Sequence, residues 1–191
     1  MRESELAERL GKAGLVFIGW PDEAVPRVPV AVARYAVSAG SDTGRDEVSL
    51  RYTDPGWQSG GNDAWFTLAS DAGLFGAGGE FLVAVALEPD VWPVRSRWAG
   101  VRLAASWDIV GEGAADLLGS GRHHPEFVML SPDGEVIVQG TVRQDGISFL
   151  AVHHPRDSGV LRKQGEFFAN WHRAHPEDRQ AARSWLDADA G

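Results

Sequence analysis

Cysteine is absent from this chain of 191 residues. That single absence removes disulfides, thiolate nucleophiles, iron–sulfur clusters and cysteine-type zinc sites, and it suits a reducing compartment. Long apolar runs are also missing. Leu15 to Trp20 is an apolar stretch of six residues with acidic residues ahead of it, too short for a secretory signal core or a membrane span. The expectation is a cytoplasmic chain with no membrane association. Positive charge is scarce: 18 Lys and Arg stand against 27 Asp and Glu, for a net charge of -9. Nucleic-acid binders draw most of their affinity from basic surface, so no nucleic-acid partner is expected. An acidic surface suits solubility or a basic protein partner.

Catalytic signatures are lacking too. No His-Glu-x-x-His or zinc-deaminase pattern is present. The glycine-rich stretch from Gly73 to Phe81 resembles a phosphate loop in composition alone. It ends in Glu80 and a strand, without the Gly-Lys-Ser/Thr of a Walker loop or the helix of a dinucleotide loop. Ser120 sits in Leu-Gly-Ser-Gly-Arg, a fragment of a nucleophile elbow. Asp108 and Glu112 are spaced for acid–base work, as solvated surface carboxylates also are.

What is present is ordinary globular composition, 43% apolar and 24% charged. The length suits one domain over 1–191, divided into an N-terminal helix (1–14), a β-rich core (15–155) and a C-terminal helical segment (156–191). Glu3 to Lys12 carries Leu6, Ala7 and Leu10 at helical spacing, and Leu15 to Trp20 follows as a strand bounded by Pro21. Prolines 21, 26 and 29 impose an extended connection. Strands are expected over Val28–Ser38, Glu47–Thr53, Ala64–Ala69, Phe81–Leu87 and Val101–Val110, with Asp54–Asp63 as a glycine-rich loop. Glu126 to Val152 should form a three-stranded meander with turns at Ser-Pro-Asp-Gly and Gln-Asp-Gly-Ile. Beyond Pro155 the period becomes helical: Leu161, Gln164, Phe167, Phe168, Trp171 and Ala174 share one face, and Pro176 suits the first turn of a last helix. The fold class is α+β: a mainly antiparallel, curved or barrel-like sheet of about eight or nine strands, with helices at the N- and C-termini.

Histidine and tryptophan are the residues with chemical promise. All six histidines lie between positions 123 and 175, and His-His-Pro occurs at 123–125 and 153–155. A meander with a turn at Asp145-Gly146 sets Val138 opposite both His153 and Met129, and puts the two pairs roughly 15–20 Å apart along the strands. One ion cannot join them, since zinc holds its ligands at about 2 Å. The remaining metal candidates are His153, His154 and His172, with a carboxylate such as Asp157. The competing expectation is that X-His-Pro marks strand ends.

Eight tryptophans are present, and exposed ones anchor protein interfaces. Trp65, Trp107 and Trp171 are expected in the core. Trp57, Trp92 and Trp98 are the candidate binding surface, close to the basic residues Arg95, Arg97 and Arg102, whose stems are expected to lie over apolar rings. The functional expectation is a non-catalytic cytoplasmic protein-binding module, of the kind represented by an immunity-type inhibitor, a secretion chaperone or an assembly subunit. The alternative is an enzyme or a small-ligand or metal-binding protein. Its site would lie at the mouth of the sheet, with His153, His154 and His172 holding a divalent metal; no other cofactor is implied.

Overall fold

A computed structural model describes residues 1–22, 24–40, 44–87 and 94–188. Helix α1 (Glu3–Lys12) and strand β1 (Leu15–Gly19) open the chain. A short helix, α2 (Val30–Ala33), precedes β2 (Arg45–Arg51), and the long helix α3 (Trp57–Ala72) follows. Then come β3 (Glu80–Ala86), β4 (Ser96–Leu103), one π-helical turn (Ile109–Gly113) and the small strands β5 (Gly119–Gly121) and β6 (His124–Pro125). The meander is β7 (Phe127–Leu130), β8 (Val136–Arg143) and β9 (Gly146–His153), and helices α4 (Gly159–Asn170) and α5 (Pro176–Asp187) end the chain.

Seven strands form one sheet in the order β1-β4-β3-β7-β8-β9-β2, and β5 pairs with β6 apart from it. Every pairing is antiparallel. The expected α+β class holds, but the sheet stays open, with β1 and β2 as its edges, and does not close into a barrel. Both faces are covered. Phe81, Val83, Val101, Met129, Phe149 and Ala151 pack with α1, α3 and the π turn, through Leu6, Leu10, Trp65 and Ile109. Leu82, Trp98, Leu130, Ile137, Leu150 and Val152 pack with α2, α4 and α5, through Val32, Leu161 and Trp185. Central strands covered on both faces lose the alternation of a half-buried sheet. Seven of the eight residues of β9 are buried accordingly.

Three expected elements are corrected. The stretch 57–72 is a single helix, replacing both the glycine-rich loop and the strand expected over Ala64–Ala69. Gly61 is small there because α3 lies tight on the π turn: a Cβ would stand 3.0 Å from Val110 Cγ1. Val28–Ser38 is α2 followed by a 3-10 turn at Ala36–Ser38, its valines and alanines buried as helical contacts. The strand expected over Val101–Val110 begins earlier, at Ser96, and stops at Leu103.

The meander stands, with its second turn shifted. Gly134 (φ +84°) turns β7 into β8, as expected. Gly146 pairs with Arg143, so Gln144-Asp145 form the turn, and a Cβ on Gly146 would sit 2.1 Å from Leu50 O of the neighbouring strand β2. This glycine admits a close strand. His153 therefore faces Val136, not Val138, and the offset between the two histidine pairs grows by roughly 7 Å along the strands.

Candidate binding groove

The proline-rich segment 24–30 runs across the start of β4 and the first turns of α5. Its prolines deny it a helix, and side chains from elsewhere in the chain hold it in place. Trp98 Nε1 donates to Val28 O at 2.8 Å. Arg156 donates through Nη2 to Pro26 O at 3.1 Å and through Nη1 to Trp185 O at 2.8 Å, which joins the segment to α5. Arg27 Nη1 donates back to Asp22 O at 2.7 Å. Helix α5 starts at Pro176 with His175 as its N-cap, and Arg95 Nη2 donates to both Glu177 carboxylate oxygens at 2.6 and 2.8 Å.

Between segment, strand and helix lies an open cavity of about 340 Å³. Val25, Pro26 and Pro29 supply apolar wall, and Trp98 lines the cavity as well. Its charged residues are Arg27, Arg95 and Arg97 on one side of the balance and Asp22, Glu177 and Asp178 on the other. The volume suits a side chain or a short extended segment.

Hydrogen bonding in the groove is incomplete. Among the described residues, Arg27 Nε and Arg95 Nε are buried with no hydrogen-bond partner. A buried donor left in this way is costly and unusual. Burial lowers the Arg27 pKa, with Asp22 opposing that shift. Burial raises the Asp178 carboxyl, and Glu177 adds to the rise, against the opposing charges of His175 and Arg95.

The tryptophans expected to form a contact surface separate. Trp98 is buried at 8% exposure, so it is a wall of the groove rather than an exposed anchor. Trp57 is half-buried in the first turn of α3, its ring 4.8 Å from Tyr52 and 5.8 Å from His123. Trp92 lies outside the described residues. Of the expected core rings, Trp65 is fully buried, while Trp107 and Trp171 are half-buried. Arg97 carries its guanidinium 4.8 Å above the Trp20 ring, as expected of an arginine stem over an aromatic.

The histidines also separate. His153 Nε2 contacts Asp46 Oδ2 at 2.9 Å, and His154 Nδ1 contacts Glu135 Oε2 at 2.9 Å. Its hydrogen bond with Glu135 raises the His154 pKa. His172 is exposed in the turn after α4. Among the described residues no group of three or more His, Asp or Glu could hold a metal ion, so His153, His154 and His172 do not come together as ligands. The geometric reason is that His153 ends β9 while His154 turns left-handed (φ +47°) beyond it, and each histidine is taken by a carboxylate of a different strand or turn. The other pair splits as well. His123 is left-handed (φ +62°), its ring set against Trp57 and its buried Nδ1 without a partner among the described residues, and His124 is exposed in β6.

Asp108 is absorbed structurally. It caps the π turn by accepting from Gly111 N and Glu112 N, and it accepts from Asn62 Nδ2 of α3. Glu112 pairs with Arg122. The groove residues that sequence reasoning missed are Arg27 and Asp178. Their signal was available: an arginine set among four apolar or proline neighbours, and a second carboxylate in the first turn of a Pro-started helix. No protein-family model, curated protein or solved structure matches this chain.

Proposed function

We propose that this chain is a non-catalytic cytoplasmic protein-binding module, in the class of immunity-type inhibitors, secretion chaperones and assembly subunits, and that it holds its partner in the groove between segment 24–30, β4 and α5. The observation that carries this reading is the open cavity of about 340 Å³, with apolar wall from Val25, Pro26 and Pro29 beside the charged residues Arg27, Arg95, Glu177 and Asp178. Apolar wall with a few placed polar groups is the usual make-up of a recognition site. The segment is already held by Trp98 and Arg156, so little ordering entropy remains to be lost on binding. Among the described residues no helix is long and apolar enough to cross a membrane, which is consistent with a partner met in solution.

The test is position-dependent photo-cross-linking in cells that express the chain natively. A photoreactive phenylalanine analogue at Ser184, which lines the groove, should give a discrete adduct with one polypeptide. The same analogue at Glu8, exposed on α1, should not. Equal labelling from the two positions, or none from Ser184, would refute the assignment of the groove.

A further inference from the structure

We infer that the groove takes a cationic side chain of the partner, lysine or arginine, with Asp178 as its counter-charge and the proline-rich segment as the wall for its aliphatic stem. This rests on the proposed binding role of the groove and specifies the chemistry of the residue that enters it.

The charges lining the cavity are not equally engaged. Arg95 gives Nη2 to both oxygens of Glu177. Arg27 donates to the carbonyls of Asp22 and Val25 and has the Asp22 charge beside it. Asp22 in turn accepts from Ala24 N, and Arg97 lies over the Trp20 ring. Asp178 is left over: among the described residues it makes no hydrogen bond or salt bridge. Arg95 and His175 act on it through charge alone, and Glu177 works against them. The Nε atoms of Arg27 and Arg95 are sealed from solvent, whereas the Asp178 oxygens are open to the cavity that the residue lines. This half-buried carboxylate has lost part of its hydration. A charge-assisted bond from an arriving N–H donor replaces what burial removed.

The walls favour a basic side chain over a free cation. Val25, Pro26 and Pro29 line the cavity beside Asp178, and Val25 and Pro26 are exposed. Lysine and arginine lay their aliphatic stems along such apolar surface while the charged head reaches its partner. A small inorganic cation would leave that wall bare. The Trp98 ring adds apolar contact, since its Nε1 donor is committed to Val28 O. The net charge of -9 acts in the same direction, drawing a basic partner toward the chain and repelling an acidic one before contact.

The test is NMR on the full-length chain with isotope-labelled aspartate, following the Asp178 carboxyl carbon near neutral pH. Three capped peptides are titrated: Ala-Ala-Lys-Ala-Ala and its counterparts with norleucine or glutamate at the centre. The expected result is a saturable Asp178 shift with the lysine peptide, and binding about tenfold weaker for the norleucine peptide. The glutamate peptide should bind more weakly still. Saturating lysine peptide should also move the Asp178 titration to lower pH, because the ammonium competes with the proton; a carboxylate that serves only the fold would not respond. Asp178→Asn should reduce the lysine peptide to the norleucine level with the amide spectrum of the sheet unchanged. If that variant fails to fold, the wild-type titrations decide alone. Equal binding of the lysine and norleucine peptides, a preference for glutamate, or no Asp178 shift with any peptide would overturn the inference. If the Ser184 adduct forms while the lysine peptide shows no preference, the groove keeps its partner and only this chemistry fails. Loss of the adduct removes the docking reading itself.

Discussion

Replacing Trp98 by Phe should loosen the proline-rich segment and lower the stability of the whole sheet. The indole is buried, and its Nε1 is the donor that pins Val28 O to β4 at 2.8 Å. Val28 is itself buried at 1% exposure, so water cannot easily reach the carbonyl it would leave behind. An unsatisfied buried acceptor costs about 1–3 kcal/mol. Phenylalanine is smaller than tryptophan by roughly 40 Å³, and an uncollapsed void of that size costs about 1 kcal/mol more. The expected loss is therefore about 2–4 kcal/mol, read as a urea midpoint lower by roughly 1 M. Amide exchange separates global from local loss: if only the segment opens, Val30 to Ala33 should exchange faster while β8 and β9 keep their protection. An unchanged midpoint together with unchanged exchange over Val30–Ala33 would refute the view that Trp98 anchors this segment.

Two further outcomes follow from packing and charge. Trp57→Ala should cost about 2 kcal/mol in urea unfolding, because the ring is half-buried between Tyr52 and His123 rather than presented in a loop; full retention of stability would return Trp57 to the list of exposed anchors. Asp116 provides the pH test. Burial raises its pKa, but hydrogen bonds and charge from Arg9 and Lys12 outweigh this and hold it below the ordinary value. The folded state therefore binds this proton less readily than the unfolded chain. The stabilisation is present above the unfolded pKa of about 4 and is lost as pH falls through the lower folded value. The stability difference between wild type and Asp116→Asn should be steady near neutral pH and shrink below about pH 4; a difference that persists undiminished in stronger acid would mean the ion pairs contribute nothing.

Legibility in the sequence followed how local each signal was. Helix α1 and the final helix were legible to the residue at their starts, from apolar spacing and from Pro176. The meander was legible from its turns, because Ser-Pro-Asp-Gly closes on itself: Asp133 accepts from Ser131 and from Glu135 N while Gly134 takes the left-handed turn. Helix α3 was misread because its glycines look like loop. The helical face Gly61, Trp65, Ala69 and Ala72 was there in the spacing, but Gly61 reveals its purpose only beside Val110. Gly146 misled in the same way: it reads as a turn glycine, and its true constraint is the Leu50 carbonyl of β2 about a hundred residues earlier in the chain.

The candidate site was even less legible. Arg95, Trp98 and the proline-rich segment each stood out in the sequence, but as separate features. Composition, periodicity and turn chemistry are properties of neighbouring residues, and they were enough to determine an antiparallel α+β chain with terminal helices, no thiol chemistry and two histidine pairs too far apart to share an ion. Only the tertiary structure decided that Trp98 faces inward to hold Val28, that His153 and His154 each meet their own carboxylate, and that Arg27 and Asp178, far apart in sequence, line one cavity. The physical reason is that burial and convergence depend on which faces of the sheet are covered, and that is set when α2, α4 and α5 pack on one side and α1 and α3 on the other.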